Sequence, residues 1–314
     1  MFFNCHYLRP FVPVIEAKSV TKRYGDITAL DSLTLRVERG ESFGFLGPNG
    51  AGKSTTINIF LDLVRRSSGS LSILGYDPEE NPLEVRKRVG ALPEAGGLYP
   101  RDTPRDHLQF AVRMNGADDD IDELLDRVGI ADAADRPIGG FSKGMRQRLR
   151  LATALVGQPE LLILDEPLGG LDPAGARVFR KTIREERARG ATVFFSSHIM
   201  DQVELICDRV GIMHGGRLLL TDDVHEFRRR MDTVPQMKLS VEDPPKGLAE
   251  QVSDSDRVAQ ATVDDGMLHL TCRSPADKSA VVRQLDESGV AIADLHSRGP
   301  SLEQAFLRTA EAER

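Results

Sequence analysis

The stretch from Gly47 to Thr55, GPNGAGKST, has the residue types and spacing of a loop that binds phosphate. It fits the pattern GxxxxGK[ST] and lies between a predicted buried strand and a helix predicted from Thr55 to Val64, which is the context this pattern requires. Its glycines let the backbone curl so that several N–H groups point at one phosphate chain. Lys53 can reach the terminal phosphates, and the hydroxyl of Ser54 can bind Mg²⁺. The residues expected to contact the phosphate ligand here are Gly47, Asn49, Gly50, Ala51, Gly52, Lys53, Ser54 and Thr55.

Two carboxylates follow another predicted buried strand, LLILDEP, about a hundred residues later. Asp165 can hold Mg²⁺ through water, whereas Glu166 can orient or deprotonate an attacking water. Taken alone, such a pair is more often the solvated end of a strand, and its position after the phosphate loop favours the catalytic interpretation. His198 ends a third apolar run, ATVFFSSH, and the carboxyl end of a parallel strand faces the ligand crevice. We therefore interpret Lys53, Glu166 and His198 as catalytic residues.

A second corner with phosphate-binding chemistry is the stretch FSKGMRQR, Phe141 to Arg148. Ser142 and Gly144 lead into a run with helical spacing. A small polar side chain, a permissive backbone and exposed N–H groups thus stand at the positive end of a helix dipole. A simple helix cap at Ser142 accounts for part of this pattern, but it leaves open why one chain carries two such corners.

The remaining pattern predicts the elements that position these residues. Residues 14–23 and 27–37 alternate apolar and polar, as half-buried strands do, with a turn that begins at Tyr24. The apolar runs SFGFLG, ELLILDEP and ATVFFSSH alternate with helical patterns. This predicts an α/β fold of the P-loop NTPase type, with a mostly parallel sheet and antiparallel strands near the N-terminus. The section between 78 and 150 is predicted to be a helical insert, and a helical subdomain is placed at about 92–158.

The pattern changes after about residue 230. Strands and helices are predicted in the order βαββαβ, followed by a last helix capped by Ser301 and Gln304, which is typical of a small α+β, ferredoxin-like domain. We therefore divide the sequence into an N-terminal extension at 1–13, a phosphate-binding domain at 14–230 and an accessory or regulatory domain at 231–314.

Composition limits the classes of function. The chain has 314 residues, of which 28% are charged and 40% hydrophobic, as in ordinary globular proteins. No run approaches the ~18 apolar residues that span a bilayer, and the interrupted start MFFNCHYLRPFVP does not predict a signal peptide. The three cysteines have no CxxC spacing, which predicts free thiols. The net charge is −7, with nine basic and fifteen acidic residues in 231–314, and no basic stripe suggests nucleic acid as a partner.

Together, these motifs resemble those of the nucleotide-binding domain of ABC transporters, in the family's order, over roughly residues 14–230. GPNGAGKS resembles the Walker A loop, LLILDEP resembles Walker B with its catalytic glutamate, and FSKGMRQR resembles the signature motif. PEAGGLYP resembles the Q-loop, and GGLDP resembles the D-loop. The resemblance implies an ATPase with ATP and Mg²⁺ as ligands, and it places Ser54, Asp165 and Glu94 at the metal.

The same resemblance assigns further roles. It implies that His198 senses the γ-phosphate, that Tyr24 stacks on adenine and that Asp172 belongs to the nucleotide site. It also implies a head-to-tail dimer in which Ser142 and Gly144 of one subunit close over the γ-phosphate bound by Lys53 of the other. The second corner would therefore serve a second nucleotide. The chain departs from the common pattern at four positions, which are Glu94, Lys143, Met145 and Gly169.

The resemblance also suggests a partner. FSKGM, PE-x-x-GLY and a βαββαβ-like tail are similar to a bacterial branch that exports drugs, lipids or ions through a separately encoded membrane permease. We expect that permease to dock between Glu94 and Arg101, at the cytoplasmic face of the membrane. One alternative is a soluble ABC-type ATPase that acts in translation or DNA repair, and another is a P-loop kinase. The chain has a single set of motifs and no heptad run, which argues against the soluble ABC-type ATPase. A P-loop kinase would not account for the signature motif or the D-loop.

Overall fold

The computed structural model describes residues 13–94, 96–227, 236–241, 244–245, 247–253, 255–264, 266–274 and 276–296. The chain folds into two compact units, Met1–Val224 and His225–Arg314, each with its own sheets and core. Two predicted features lie outside the described residues: the N-terminal extension, except for Pro13, and the last helix with Ser301 and Gln304.

The first unit contains nine strands and seven α-helices within the described residues. The strands are β1 (Ile15–Tyr24), β2 (Ile27–Val37), β3 (Ser42–Leu46), β4 (Ser68–Ile73), β5 (Val89–Leu92), β6 (Leu161–Asp165), β7 (Thr192–Ser197), β8 (Arg209–His214) and β9 (Arg217–Asp223). The helices are α1 (Lys53–Phe60), α2 (Pro82–Arg86), α3 (Pro104–Asn115), α4 (Ile121–Arg127), α5 (Lys143–Leu155), α6 (Pro173–Arg189) and α7 (Met200–Glu204).

A six-stranded sheet in the order β5-β6-β7-β3-β8-β9 forms the centre of this unit. Its strands are parallel except for the antiparallel pair β8 and β9. All residues of β3, β6 and β7 are buried, which explains why these strands are continuous apolar runs in the sequence. Because the three strands are parallel neighbours, the residues that follow them meet at one edge of the sheet.

A smaller antiparallel sheet in the order β2-β1-β4 packs with α1 against the central sheet. Phe194 of β7 lies in the middle of their shared core. Its ring centroid is 5.9 Å from that of Phe43, 5.1 Å from that of Phe45 and 5.4 Å from that of Phe60 on α1. These aromatic contacts fix α1, and with it the loop that precedes α1, against the central sheet.

Two details of the predicted elements are wrong. The insert predicted as helical between 78 and 150 contains β5, which pairs with β6 and lengthens the central sheet. The helix predicted from Thr55 to Val64 runs from Lys53 to Phe60, and Asp62 beyond its end has a left-handed φ of 54°. Between β5 and β6 the described regular structure is otherwise helical and includes a short 3₁₀ turn at Ile138–Gly140.

The second unit has one antiparallel sheet. Its elements are β10 (Gln236–Val241), α8 (Leu248–Ser253), β11 (Val258–Asp264), β12 (Met267–Cys272), α9 (Asp277–Glu287) and β13 (Ile292–His296). The strand order is β11-β12-β10-β13, so the two strands joined by each helix have one other strand between them. This is a split βαβ arrangement, and the ferredoxin-like classification of the unit stays a prediction.

Candidate functional site

The loop between β3 and α1 depends on glycines with left-handed backbone. Gly50 has a φ of 80° and Gly52 a φ of 103°, a region that favours glycine. A Cβ on Gly52 would also lie 2.8 Å from Cδ2 of Leu30 and 2.9 Å from the carbonyl oxygen of Ala29. The chain can therefore turn directly into α1, which begins at Lys53 and presents its amino end at the loop.

The ammonium group of Lys53 lies inside this loop, and the side chain is only 6% exposed. It donates to the carbonyl oxygens of Gly47 at 2.7 Å and Pro48 at 3.2 Å. Its Nζ is also 3.6 Å from Oε1 of Glu166, which forms an ion pair across the sheet edge. Two of the predicted catalytic residues, separated by more than a hundred positions in sequence, are therefore in contact.

Glu166 is held in a strained backbone conformation with a φ of 44°. Its amide N–H donates to Oγ of Ser196 at 3.0 Å, and the same hydroxyl donates to Oδ1 of the buried Asp165 at 2.6 Å. Its other carboxylate oxygen, Oε2, is 3.0 Å from Nδ1 of His198. Oε1 is buried and has no hydrogen-bond partner within the described structure, so its polar contact is the ion pair with Lys53, and a ligand that draws Lys53 away would leave it free to accept a proton.

The oxygen groups predicted to hold a metal lie beside the same loop. Oγ of Ser54 donates to Oε2 of Glu94 at 3.4 Å, and Asp165 stands at the end of β6. Among the described residues, no group of three or more His, Cys, Asp or Glu side chains could hold a metal alone. These oxygens fit Mg²⁺, which usually binds one or two protein ligands and completes its shell with water and substrate phosphates.

An open cleft of about 490 Å³ surrounds the loop. Its lining includes most of the predicted phosphate-binding residues together with Glu94 and Glu166. The lining residues are Ile27, Thr28, Ala29, Asn49, Gly50, Gly52, Lys53, Ser54, Thr55, Glu94, Glu166, Gly215 and Gly216. Of the other predicted loop residues, Gly47 accepts a hydrogen bond from Lys53 through its carbonyl oxygen, and the side chain of Ala51 is buried.

Tyr24, the predicted adenine platform, lies near the rim of this cleft rather than in its described lining. It pairs with Ile27 across the turn between β1 and β2, and its side chain is 47% exposed. The ammonium of Lys22 stands 4.6 Å from the ring centroid and donates to the carbonyl oxygen of Arg65 at 2.8 Å. One face of the ring therefore carries a cation–π contact.

The signature residues stand apart from the cleft lining within the described part of the chain. Ser142 is exposed and caps α5, since its Oγ accepts from the amide of Met145 at 3.1 Å. Asp172 caps α6 in the same way, with Oδ1 accepting from the amide of Gly175 at 2.8 Å. Gly144 lies close to the D-loop, where a Cβ would be 3.4 Å from the carbonyl oxygen of Gly170.

Two contributors to the site were not predicted from the sequence. Ser196 joins Asp165 to the backbone of Glu166, and no local pattern marks this contact between strands. Gly215 and Gly216, with φ of 52° and 81°, form the tight turn between β8 and β9. The dipeptide Gly-Gly between two apolar runs is a hairpin signal that could have revealed this turn. Gly216 also packs against the phosphate loop, because its amide donates to the carbonyl oxygen of Ala51 at 3.1 Å.

Comparisons with known proteins agree with this geometry. The sequence profile of the ABC transporter family matches residues 30–169. The bacitracin transport ATP-binding protein BcrA of Bacillus licheniformis is 35% identical over 300 residues, which cover 94% of this chain and 96% of that protein. The daunorubicin resistance ATP-binding protein DrrA3 of Streptomyces coeruleorubidus is 34% identical over 308 residues, covering 93% of this chain and 94% of that protein.

A solved structure described as the ATP-binding subunit of an ABC transporter is similar in fold, with a TM-score of 0.65 and 32% identity. It covers 70% of this chain and 93% of its own length. Among the described residues, no helix is long and apolar enough to cross a membrane. The chain belongs to the ATP-binding subunits of ABC transporters, and it is an ATP-hydrolysing subunit that energises a membrane permease.

Proposed function

We propose that this chain powers export by a separately encoded permease and that it works as one half of a head-to-tail dimer. The main support for the dimer is that the phosphate loop and the signature residues lie apart within one subunit. The phosphate loop has an open cleft, while Ser142 is exposed at the start of α5 and lies outside the described lining of that cleft. A second copy of the chain can supply the signature that one copy alone does not bring to its cleft.

Export is supported by the names of the relatives. BcrA is described as a bacitracin transport protein, and DrrA3 as a daunorubicin resistance protein. The linearmycin resistance ATP-binding protein LnrL of Bacillus subtilis is 31% identical and covers 94% of this chain. Each of these relatives matches nearly the whole chain, including most of the accessory domain. They favour an exporter that sits at the cytoplasmic face of the membrane over an ATPase of translation or DNA repair.

Nucleotide binding requires Lys53 to change partners. In the structure described, its ammonium is satisfied by the carbonyl oxygens of Gly47 and Pro48 and by Glu166. A triphosphate in the loop replaces these contacts with phosphate oxygens and receives N–H groups from the start of α1. Bound Mg²⁺ would neutralise phosphate charge, and Ser54, Asp165 and Glu94 are the residues that would hold it.

Release of Lys53 also frees the carboxylate of Glu166. That carboxylate stands at the sheet edge, where it can accept a proton from an attacking water. His198, at 3.0 Å from the same carboxylate, fixes its orientation and can report the presence of the γ-phosphate. The buried Oε1 without a hydrogen-bond partner is the atom that we assign as the proton acceptor. In this scheme hydrolysis removes the phosphate that bridges the two subunits.

The docking surface for the permease is proposed to comprise residues 94–101 and the exposed face of α3. Tyr99 is 67% exposed, and Phe110 and Met114 on α3 are 63% and 71% exposed. Phe110 and Met114 are four residues apart, so they share one helix face. Exposed large apolar side chains of this kind are typical of protein–protein contacts. The permease, rather than this chain, would select the exported compound.

The C-terminal unit is proposed to stabilise the dimer or to regulate coupling. The transporter ATP-binding protein NatA of Bacillus subtilis is 36% identical over 232 residues, which cover 94% of NatA but only 70% of this chain. The ATP-binding part can therefore occur without most of this unit. A chain truncated to residues 1–230 should bind ATP yet dimerise less well or lose coupling. An unchanged dimerisation constant together with unchanged export would remove both roles.

Mixed dimers test the proposed function. Lys53→Ala in one subunit and Ser142→Arg in the other place both defects in one site and leave the second site intact. If the sites fire independently, random mixing should restore about a quarter of the wild-type ATPase rate, since half of the dimers are mixed and each has one working site.

A second readout covers the case in which both sites must fire together. With Glu166→Gln added to both subunits, purified mixed dimers should retain one trapped ATP each, measured by filtration with labelled nucleotide. Mixed dimers that trap no ATP, although both subunits are present, would contradict the cross-subunit arrangement.

A further inference from the structure

Arg150 on α5 makes contacts that the sequence motifs do not explain. Its guanidinium donates to the carbonyl oxygen of Pro93, to the carbonyl oxygen of Glu94 at 3.2 Å and to Oε1 of Gln147 at 3.3 Å. Pro93 and Glu94 are where the chain leaves β5 and enters the Q-loop segment, residues 94–101. The planar guanidinium can hold several oxygens at fixed positions in this way, whereas a lysine ammonium cannot.

Gln147 extends these contacts to the catalytic strand. Its side-chain amide is buried and donates to the carbonyl oxygen of Pro167 at 2.9 Å. Pro167 directly follows Glu166, whose backbone is strained. Arg150 and Gln147 therefore form a continuous line of hydrogen bonds from the start of the Q-loop segment to the turn that carries the catalytic carboxylate.

Within the Q-loop segment, Gly96 lies directly against Arg150. A Cβ on Gly96 would lie 2.8 Å from Nη2 and 2.9 Å from Nε of Arg150, so a larger residue at this position would displace the guanidinium from where it now lies. The far end of the segment is fixed separately, because the amide of Gly139 donates to the carbonyl oxygen of Pro100 at 2.8 Å. Between these two attachments Gly97 has no neighbouring atom within 4 Å of an added Cβ, and Tyr99 is exposed.

The guanidinium is partly desolvated. Burial lowers the pKa of Arg150, and the nearby carboxylate of Asp165 acts in the opposite direction. Within the described structure, the hydrogen-bond acceptors of Arg150 are uncharged oxygens. A charged donor that gives up water makes strong hydrogen bonds to such oxygens and is costly to leave without them.

We propose that Arg150 is a positioning residue that latches the Q-loop segment to α5 and, through Gln147, to the turn after Asp165. The latch holds Glu94 beside Ser54 in the nucleotide cleft and leaves the middle of the segment free to contact the permease. This inference rests on the proposed roles of Glu94 at the metal and of residues 94–101 in docking. The new element is Arg150 itself, a residue on α5 that connects the metal-binding role of Glu94 with the docking role of residues 94–101.

The test uses the nucleotide-free, full-length protein. Because the chain contains no tryptophan, Tyr99→Trp creates a single fluorescent reporter in the Q-loop segment. In this background Arg150→Ala should raise the mobility of the indole, seen as a lower residual fluorescence anisotropy. Arg148→Ala is the matched control, because Arg148 lies on the same helix and donates to the carbonyl oxygen of Gly129, outside the segment. The control should leave the anisotropy unchanged.

Gly96→Ala provides a second, independent perturbation. With Arg150 present, the added methyl group displaces the guanidinium from its acceptors and should loosen the segment in the same direction as Arg150→Ala does. With Arg150→Ala, the methyl group has space and should have no further effect. Additive effects of the two substitutions would overturn the latch, because they would show that Gly96 and Arg150 act separately. The latch would also be overturned if Arg150→Ala left the anisotropy unchanged while its thermal unfolding midpoint showed a folded protein.

The ATPase reaction separates this inference from the proposed function. If Glu94 binds the metal, Arg150→Ala should raise the Mg²⁺ concentration for half-maximal ATPase by about tenfold, an effect on the scale of one lost charged hydrogen bond. The maximal rate at saturating Mg²⁺ should fall much less. A loosened segment with an unchanged Mg²⁺ dependence would support the latch and overturn the role of Glu94 at the metal.

Discussion

Replacing Glu166 by glutamine keeps the size of the side chain and its hydrogen bond with His198 but removes a negative charge from the cleft. The amide cannot accept the proton of an attacking water. Because a positioned general base contributes about 10²–10⁴ in rate, turnover should fall by that factor, equivalent to about 2.7–5.5 kcal/mol in the activation barrier. The backbone strain at Glu166 should persist, because glutamine at a φ of 44° is as strained as glutamate.

The same substitution should strengthen ATP binding. At the 3.6 Å between Nζ of Lys53 and Oε1 of Glu166, the attraction is about 4–5 kcal/mol for an effective dielectric constant of 20. Desolvation of Lys53, which is almost fully buried, offsets most of that energy. A net release of about 1–2 kcal/mol makes Lys53 available to the phosphates and lowers the dissociation constant for ATP by roughly 5- to 30-fold.

Phosphate release measures turnover, and equilibrium dialysis with labelled ATP measures affinity. Light scattering in the presence of ATP and Mg²⁺ should show a stable dimer of the Glu166→Gln variant. Glu94→Gln is the matched control, since it makes the same chemical change in the same cleft, and it should lower turnover by less than about tenfold. If both variants lose turnover equally, or if Glu166→Gln binds ATP more weakly, the assignment of Glu166 as base and as partner of Lys53 is wrong.

Three further predictions concern the loop, the pH dependence of stability and the permease. Gly52→Ala should lower the free energy of unfolding by about 2–4 kcal/mol, because it combines a left-handed φ with a collision within 2.9 Å of β2. Gly50→Ala has open space around the added methyl group and should lower it by about 1–2 kcal/mol. Urea unfolding of the two variants compares these effects. Burial lowers the pKa of His107 below its usual 6.5. As the pH falls below that value, the imidazole of His107 binds a proton in the unfolded chain but stays neutral in the folded chain, so the free energy of unfolding should fall. His107→Gln should reduce this loss, which unfolding curves at pH 7.5 and 5.5 would measure. Leu98→Asp with Tyr99→Asp should abolish export from cells while the ATPase rate of the isolated subunit stays within about twofold, and normal export in that variant would contradict docking at these residues.

The parts of the fold that the sequence predicts best are those with one dominant physical cause. β3, β6 and β7 are buried on both faces, so each reads as an unbroken apolar run. Parallel pairing then brings their carboxyl ends together, which is why Lys53 and Glu166 could be assigned to one site. The start of α5 at Ser142 followed from helix capping alone.

Features that depend on contacts between distant segments were not predictable. β5 has only four residues, and its pairing with β6 is what makes it a strand. The hydroxyl of Ser196 reaches Asp165 because β7 lies next to β6, which no local pattern encodes. Arg150 occurs in an ordinary charged helix pattern, and its role emerges only when Pro93 and Gly96 fold over it.

The departure at Lys143 in the signature also brings that side chain into contact with the D-loop. Lys143 and Gly169 looked independent in the sequence, since 26 positions separate them. A Cβ on Gly170, the residue after Gly169, would lie 2.4 Å from Cδ and 2.6 Å from Cε of Lys143. The apolar stem of Lys143 therefore packs against the backbone of Gly170, as long basic side chains cover exposed surface elsewhere. Because Gly170 also has a left-handed φ of 81°, a side chain at this position would be strained by the backbone as well as by the contact with Lys143.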